Sequence, residues 1–373
     1  MIDLIFLVSL LFLSYTYFIY PIIVFLLSKY CPCDTDSKSE TPKELPDVTV
    51  MLCVYNGQQL IENRINNILQ LDYPKDKLNI IVVADGCNDE TCQRVEDLAL
   101  KNVKLLSYDL NRGKSYALSV GLQHVQSELV LFADLRQTYD RDVLKYLVPH
   151  FNDDKVGAVT GNLLIEKSKG DPGLYWKYEK AIRKYESKYK SILGVTGAIY
   201  MARKSLMPNF PPNVVLDDMY APLTMIKSGY RIIFCEQACA YDQGSHTLQE
   251  EFDRKVRTLA GNYQLFQLLP WTLNPIKNPV YFELISHKVC RLLVPYFLIF
   301  LFLTSFFVDN WFGQLTFWSQ LTFYTIAAFY YFYLYKKHNK TNFILSFVML
   351  NLAALKASVV YWLSPTKHLW KSH

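Results

Sequence analysis

The chain has 373 residues, a formal net charge of +5 and a hydrophobic share of 51%. This length is enough for one sizeable soluble core, and the apolar surplus is concentrated in segments near the two ends. Much of the positive charge lies beside these segments. It favours contact with anionic lipid headgroups and argues against nucleic acid as a partner.

The first apolar segment, residues 4–27, contains no charged side chain. At about 1.5 Å per residue, a helix of this length crosses the roughly 30 Å hydrocarbon core of a bilayer. A secretory signal peptide fits less well, because the segment opens with Asp3 instead of a basic residue and has no small-x-small cleavage site. We therefore predict an N-terminal transmembrane helix at 1–29, followed by a polar linker at 30–46.

The soluble part, 47–246, alternates strand-like and helix-like stretches. Apolar, β-branched runs at 47–55, 78–86, 102–108 and 127–134 are separated by helical patterns. Four such β-α units in a row predict a mostly parallel sheet with helices on both faces. Ligands bind such sheets beyond the carboxyl ends of the strands, where Tyr55, Asn56, Asp85 and Asp134 follow the apolar runs.

The pattern loosens after Asp134. We predict a strand at 156–165, an amphipathic aromatic and basic helix at 171–193, and a glycine-punctuated strand or loop at 194–203. The stretch 216–241 reads as an acidic helix start that runs into a pair of strands.

The segment 247–285 is predicted to contain an amphipathic helix at the membrane surface and a connector. Phe252, Val256, Leu259, Tyr263 and Phe266 share one helical face, and the basic side chains Arg254, Lys255 and Arg257 are displaced from it. This arrangement suits a helix that lies in the interface and leads into membrane helices.

The C-terminal region, 286–373, contains three more apolar segments, at 289–308, 313–335 and 341–363. Lys336, Lys337 and Lys340 lie in the loop between the second and the third. By the positive-inside rule this loop is cytoplasmic, and the soluble domain lies on the same side.

Lys356 makes the last segment less certain, because a charge in the middle of the membrane costs about 3 kcal/mol on insertion scales. The segment 341–363 either spans the membrane or lies in its interface, so we expect two to three C-terminal membrane helices. The arrangement indicates an integral protein of a bacterial inner membrane with a cytoplasmic catalytic domain.

The chain has eight cysteines, at positions 31, 33, 53, 87, 92, 235, 239 and 290. Their spacing does not match the paired CxxC pattern of a zinc site. In a cytoplasmic domain we expect them to be reduced, structural thiols.

Several stretches together resemble family 2 glycosyltransferases of the GT-A fold. The opening VTVMLCVYNGQQLIENRINNILQLDYPKDKLNIIVVADGCNDET is similar to the start of that family. The similarity continues through NRGKSYALSVGL, FADLRQ, GVTGAIYMAR, VLDDMYAPLTMIKSGYRIIF and EEFDRKVRTLAG. It covers nearly the whole chain and implies an α/β, Rossmann-like domain with a mixed, mostly parallel sheet.

The resemblance also implies roles for individual residues. Tyr55, Asn56 and Asp85 would contact the nucleotide of a nucleotide-sugar donor, with Lys114 nearby. Asp134 would bind Mg²⁺ or Mn²⁺ on the diphosphate, because such cations prefer hard oxygen ligands.

The general base would be Asp218, with Asp217 beside it. A base that takes the proton of the acceptor hydroxyl and a cation that stabilises the leaving diphosphate are what this transfer requires. The alternative is that Asp217 and Asp218 only favour a helix N-terminus, and that Asp85 is only a turn residue.

The chain departs from the family pattern in three places. Gly57 stands where the family often has Glu, and Asp134-Leu135-Arg136 replaces the usual DxD with a single acid. Arg136 either points away or contacts a phosphate or the sugar. The metal site would then be completed by the diphosphate, water or a distant side chain such as His246.

The third departure affects the family's QxxRW motif, in which Thr258 replaces the Trp. Arg254 and Arg257 would hold phosphates, or only bind lipid headgroups. In processive synthases the Trp stacks on the acceptor sugar, so its absence favours single sugar addition.

The expected function is therefore an inverting, metal-dependent transfer of a sugar, with a UDP-sugar as the first choice of donor, to a lipid-linked or glycan acceptor. The alternatives are a processive polysaccharide synthase, a glycoside hydrolase using two of the same acids, and a nucleotide-binding protein without catalysis.

Overall fold

The computed structural model describes residues 1–33, 42, 44–165, 173–242, 247–335 and 343–363. These residues form two compact units. The helical unit comprises 1–31, 173–185 and 247–363, and the sheet unit comprises the described residues of 32–165 and 186–242. Residues 173–185, which the sequence placed inside the soluble domain, thus group with the helical unit.

The sheet unit is built on a mixed sheet whose eight described strands have the order β3-β2-β1-β4-β7-β6-β8-β5. The strands are β1 Val48–Val54, β2 Leu78–Asp85, β3 Val103–Tyr108, β4 Leu129–Ala133, β5 Thr138–Tyr139, β6 Val156–Ile165, β7 Ile199–Arg203 and β8 Arg231–Asp242. Strands β1 to β4 pair in parallel, β7 is antiparallel to both of its neighbours, and β6 pairs in parallel with β8. The predicted α/β class and mostly parallel first half are confirmed.

The helices of the sheet unit cover both faces of the sheet, which is why the central strands are apolar on both sides. Leu52 of β1 and Val82 of β2 are fully buried on one face, and Val83 of β2 and Val130 of β4 are fully buried on the other. The helices are Ile61–Leu69, Thr91–Asp97, Lys114–His124, Val143–Leu147 and Asp217–Lys227.

The predicted pair of strands within 216–241 is wrong. After the helix Asp217–Lys227 the chain forms one strand, β8, of 12 residues. Its pairing with β6 shifts register between Thr160 and Asn162, where β8 advances from Phe234 to Cys239. The polar Glu236 and Gln237 lie in this irregularity, which bends the strand without turning it back.

The helical unit contains the helix Ile2–Tyr30 and five further described helices. These are Gly173–Tyr189, whose first part belongs to this unit, then Leu248–Leu268, Tyr281–Ser305, Trp311–Phe329 and Phe343–Leu363. Phe6 and Leu13 of the first helix pack against Val294 and Leu301 in a shared apolar core.

Three of the described helices are long and apolar enough to cross a membrane, namely Ile2–Tyr30, Tyr281–Ser305 and Phe343–Leu363. The number of candidates, one N-terminal and two C-terminal, agrees with the prediction. One of the segments that supply them differs from the prediction. The predicted span 313–335 is not among them, because Gln314, Gln320 and several aromatic and hydroxyl side chains lower its hydropathy. The segment in doubt, 341–363, supplies one instead.

Lys356, the source of that doubt, has a counter-charge. Its Nζ lies 3.6 Å from Asp253 Oδ1 and 5.1 Å from the centre of the Phe252 ring. Both partners belong to the helix Leu248–Leu268, which packs along Phe343–Leu363. The contact with Asp253 thus offsets part of the cost of a charge in the apolar segment.

A second charged cluster lies within the helical unit. The carboxylate of Glu179 accepts hydrogen bonds from Arg291 and lies 3.1 Å from His287 Nε2. The rings of Tyr17 and Tyr178 lie 5.9 and 5.5 Å from the Arg291 guanidinium. These contacts fix the first half of the helix Gly173–Tyr189 against Ile2–Tyr30 and Tyr281–Ser305.

Candidate active site

The carboxyl ends of β1, β2 and β4 place three predicted site segments along one edge of the sheet. In register, Val54 pairs with Ala84 of β2, and Leu52 pairs with Ala133 of β4. Tyr55 and Asn56, Asp85, and Asp134 therefore follow adjacent strands at the same edge, as expected of parallel strands.

Lys114 connects two acids at this edge. Its Nζ donates a hydrogen bond of 2.9 Å to Asp134 Oδ1 and lies 3.7 Å from Asp217 Oδ2. Burial disfavours the charged ammonium, but the two carboxylates outweigh it and hold the pKa of Lys114 well above the ordinary lysine value. Lys114 is therefore a permanent cation, while the Asp134 side chain stays 39% exposed.

Gly197 lies where these groups meet Asp218. A Cβ on Gly197 would lie 3.4 Å from Lys114 Nζ, 3.9 Å from Asp134 Oδ2 and 4.0 Å from Asp218 Cβ. Gly197 does not have a left-handed backbone, and a Cβ would meet these three atoms at ordinary contact distances, so neither backbone conformation nor crowding in the free protein requires glycine there. The two acids predicted from β4 and from the later helix thus lie on either side of one bare stretch of backbone.

The two acids at the start of the helix Asp217–Lys227 differ in their exposure to solvent. The residue Asp217 is 5% exposed, and Asp218 is half-buried. The Asp218 carbonyl accepts a 2.8 Å bond from Val195 N, which ties the helix start to the loop that carries Gly197. Asp217 therefore faces Lys114, and Asp218 is the more accessible of the two.

Two buried oxygens beside Lys114 lack a hydrogen-bond partner, namely Asp217 Oδ2 and the hydroxyl of Tyr200. Tyr200 is 1% exposed and lines a small pocket together with Lys114, Gly197 and Cys53. Burial, reinforced by Asp217, raises the pKa of Tyr200 far above its usual range, so the phenol stays protonated. The pocket is therefore lined by one unsatisfied phenol hydroxyl next to the predicted reaction centre.

Asp85 is bound by the loop that precedes Lys114. Its Oδ1 accepts hydrogen bonds of 2.8 Å from Tyr108 Oη and from Arg112 N, and its Oδ2 accepts one of 2.8 Å from Gly113 N. The residue is 4% exposed. The carboxylate predicted to contact the nucleotide therefore also holds the loop that presents Lys114.

Asn56 is held between the ends of β1 and β2. It has a left-handed backbone with φ of 50°, its N–H points to Cys87 Sγ at 3.4 Å, and its Oδ1 accepts a 3.0 Å bond from Asn88 N. Tyr55 beside it is half-buried. This geometry leaves Asn56 at the surface of the edge where a nucleotide would lie.

The departures at Gly57 and Leu135 are in contact with each other. A Cβ on Gly57 would overlap the Leu135 side chain and would come within 2.7 Å of Val54 Cγ1. The side chain that replaces the middle of the DxD motif thus fills the space beside the missing Glu.

Arg64 and Asn67, which the sequence analysis did not single out, clamp the turn that follows Asp134. Arg64 Nε donates a 3.0 Å bond to the Asp134 carbonyl. Asn67 accepts from Tyr139 N at 2.9 Å and donates to Tyr139 O at 3.1 Å. The sequence contained one signal for them. Arg64 and Asn67 are three residues apart and lie between Ile61, Ile65 and Ile68, the apolar side chains of the helix Ile61–Leu69.

The three predicted arginines are divided between the two units. Arg136 is exposed and has no hydrogen-bond partner among the residues that the structure describes. Arg254 pairs with Glu251 on the helix Leu248–Leu268, and Arg257 lies on the same helix, which belongs to the helical unit. His246 lies outside the described residues.

A divalent cation would find one well-placed ligand here. Over the described ranges, no three His, Cys, Asp or Glu side chains lie close enough together to hold a metal ion by themselves. The exposed Asp134 carboxylate, whose Oδ2 faces the Gly197 backbone, supplies hard oxygen chemistry. The donor set therefore fits a cation that is held mainly by a diphosphate and only partly by protein.

Comparison with known proteins agrees with this geometry. Residues 49–208 match the model of the family described as Glycosyl transferase family 2. A poly-beta-1,6-N-acetyl-D-glucosamine synthase of Staphylococcus aureus is 27% identical over 233 residues, which are 60% of this chain and 56% of that protein. The corresponding synthase of Staphylococcus epidermidis is 24% identical over 281 residues, covering 72% and 68%. The chain thus spans little more than half the length of the S. aureus relative.

A mannosyltransferase from Pyrobaculum calidifontis, solved in complex with GDP-Man and Mn²⁺, has a similar structure. The TM-score is 0.74 at 22% identity, and the similarity covers 96% of this chain and 99% of that one. It establishes the GT-A fold with flanking helices. The match to the family 2 glycosyltransferase model covers residues 49–208, which contain β2 to β7 and all but the first residue of β1.

Proposed function

We propose that the protein is a membrane-anchored glycosyltransferase that moves one sugar from a nucleotide-sugar donor to an acceptor hydroxyl, with inversion at the anomeric carbon. The observation that carries the proposal is the convergence of Asp134, Lys114 and Asp218 around the bare backbone of Gly197. The family match of residues 49–208 supports a transferase and sets aside the glycoside-hydrolase alternative.

Asp218 is the general base in this proposal. It removes the proton of the acceptor hydroxyl as the new bond to the anomeric carbon forms and the bond to the diphosphate oxygen breaks. The helix start fixes its main chain through the bond from Val195 N. Asp217 positions Lys114 and does not exchange a proton with the substrate.

Lys114 stabilises the departing diphosphate as a fixed cation. Its pKa is raised, so it carries its charge throughout the physiological range, and the salt bridge to Asp134 orients it before the donor binds. Preorganised charge of this kind is the largest single source of catalysis in many transferases. Tyr55, Asn56 and Asp85 form the nucleotide side of the site, and the exposed Arg136 would contact a phosphate or the sugar.

Asp134 would hold a Mg²⁺ or Mn²⁺ ion on the donor diphosphate. When bound, the ion neutralises the charge that builds up on the leaving group. The Mn²⁺ and GDP-Man in the structurally similar mannosyltransferase support a divalent cation at this place in the fold.

The nature of the donor is proposed from the relatives. Those of Staphylococcus are named for a polymer of N-acetyl-D-glucosamine, which favours an N-acetylhexosamine, and a UDP-sugar remains the first donor to test. The GDP-Man complex of the structural neighbour makes GDP-mannose the second.

The acceptor is proposed to be a lipid-linked or glycan hydroxyl at the cytoplasmic face of the bacterial inner membrane, in the synthesis of a surface polysaccharide or glycolipid. The three apolar helices support membrane attachment. Thr258, in place of the Trp of processive synthases, supports addition of a single sugar. Arg254 and Arg257 would bind phosphates of the acceptor or of lipid headgroups.

A processive polysaccharide synthase is the second candidate, and the name of the Staphylococcus relatives favours it. The two candidates differ in the length of the product. A single added sugar on a gel supports the first, and a ladder of products supports the second.

The test uses the full chain, purified in detergent, with a panel of UDP- and GDP-sugars and lipid-linked acceptors. We expect release of nucleoside diphosphate that depends on Mg²⁺ or Mn²⁺. Nucleotide binding without turnover on any donor would instead identify a binding protein that has lost catalysis.

A further inference from the structure

Within the described part of the chain, Arg64 is a buried cation without an anionic partner. The residue is 2% exposed, and its described contacts are the Asp134 carbonyl, the Asn67 side chain at 2.7 Å and the face of the Tyr139 ring at 3.8 Å. Its Nη2 is buried without a hydrogen-bond partner. All of these contacts are to neutral groups, so the positive charge is not compensated by a carboxylate.

An uncompensated buried charge is costly, because it loses its hydration and gains no countercharge. The cost is small only when an anion lies close by in the working state of the protein. Asp134, whose main-chain carbonyl Arg64 contacts, already binds Lys114 through its carboxylate. We therefore expect a second negative group near the turn after Asp134, on the side that faces the carboxyl ends of β1, β2 and β4.

Arg203 in the same unit provides an internal comparison. It also donates to main-chain carbonyls, of Val156 at 3.0 Å and Phe151 at 2.7 Å, and it lies 5.5 Å from the Phe151 ring. Unlike Arg64, it also binds a carboxylate, that of Glu128. Arg203 lies at the opposite end of β7 from Ile199, because it pairs with Leu129 at the start of β4.

We propose that Arg64 is a positioning residue for the donor diphosphate, which supplies the missing countercharge from the other side of the Asp134 turn. This inference rests on the proposed function. Arg64 fixes the main chain of Asp134 by hydrogen bonding and adds a permanent positive charge beneath the site. The sequence Asp134-Leu135-Arg136 offers a metal ion one carboxylate instead of two, so the protein holds the ion less tightly. The charge of Arg64 compensates by attracting the diphosphate that carries the ion.

The test measures the affinity of the full-length protein for UDP and for UMP, and for GDP and GMP, by calorimetry with Mn²⁺. Arg64→Gln keeps a donor for the Asp134 carbonyl and removes the charge, whereas Arg64→Lys keeps the charge. We expect Arg64→Gln to weaken diphosphate binding about tenfold or more, and Arg64→Lys to stay within about threefold. The loss should be larger for the diphosphate than for the monophosphate, since the second phosphate carries additional charge.

Arg203→Gln is the matched control, and it should lower thermal stability without changing the ratio of the two affinities. Equal losses in Arg64→Gln and Arg64→Lys, an unchanged diphosphate-to-monophosphate ratio, or the same change in Arg203→Gln would overturn the proposal. If Arg64→Gln does not fold, a loss of diphosphate affinity of tenfold or more in folded Arg64→Lys would also overturn the proposal. Absence of nucleotide binding by the wild type would instead contradict the proposed function.

Discussion

The side chain of Leu135 occupies the space that a β-carbon on Gly57 would need. Both residues are departures from the family pattern, and their contact shows that the two changes belong together. The glycine gives room to the leucine, and the leucine replaces the volume of the longer residue that the family often has at 57. The turn after Asp134 is therefore packed against the end of β1.

This packing predicts the effect of Gly57→Ala. The added methyl group should overlap Leu135 and Val54 and cost about 1–3 kcal/mol, the range of overpacked cores. Thermal unfolding of the purified protein checks the direction. In a Leu135→Ala background the same change should cost less than half as much, and an undiminished cost would show that Leu135 is not the obstacle.

The two acids at the helix start are expected to behave differently. Asp218→Asn should reduce turnover by about 100- to 10,000-fold, the range for loss of a general base, and should leave nucleoside diphosphate affinity unchanged. Turnover assays and calorimetry on the same preparation separate the two effects.

Asp217→Asn is the matched control for that variant. It removes one of the two anions beside Lys114 and leaves the proposed base in place, so it should reduce turnover less than Asp218→Asn does. The reverse order of turnover losses would transfer the role of base to Asp217.

The cation requirement should depend on Asp134. In Asp134→Asn the Mn²⁺ concentration for half-maximal turnover should rise about tenfold or more, because the neutral amide is a weaker ligand for a hard cation. Titration of Mn²⁺ after removal of metal with EDTA measures it. Asp140→Asn serves as a control. Asp140 is exposed and lies five residues after Leu135, so its substitution should not change the Mn²⁺ requirement.

Asp85 should control the order of the loop before Lys114. In Asp85→Asn one backbone N–H of Arg112 or Gly113 faces an amide donor, at a cost of about 1.5–3 kcal/mol for a lost hydrogen bond to a charged group. Hydrogen exchange of residues 109–113 should accelerate. Tyr108→Phe retains both backbone bonds and should leave that exchange close to the wild-type rate.

The sequence indicated much of this fold for a physical reason. Strands that are covered on both faces are continuously apolar, so β1, β2 and β4 were recognisable with little error at their ends. The strand β8 was not, because Glu236 and Gln237 interrupt its apolar pattern and resemble a turn, whereas the register shift keeps both in the sheet.

The site was predictable where a residue follows a strand directly, as Asp85 and Asp134 do. The salt bridge between Lys114 and Asp134 and the approach of Asp217 depend on how β7 and the helix after it return to the edge, and no local pattern records that. Arg64 was missed because a basic residue on a helix is usually exposed, and its burial depends on contact with a turn 70 residues away in sequence.

If the proposed reaction centre is correct, we expect the bare backbone at Gly197 to limit the size of the group that it admits. A methyl group there would meet its neighbours at ordinary contact distances, so the free protein would accept alanine without strain. The same methyl group would take up volume between the base and the leaving group. Selectivity among sugars of different bulk would thus be adjustable at a single position, independently of folding.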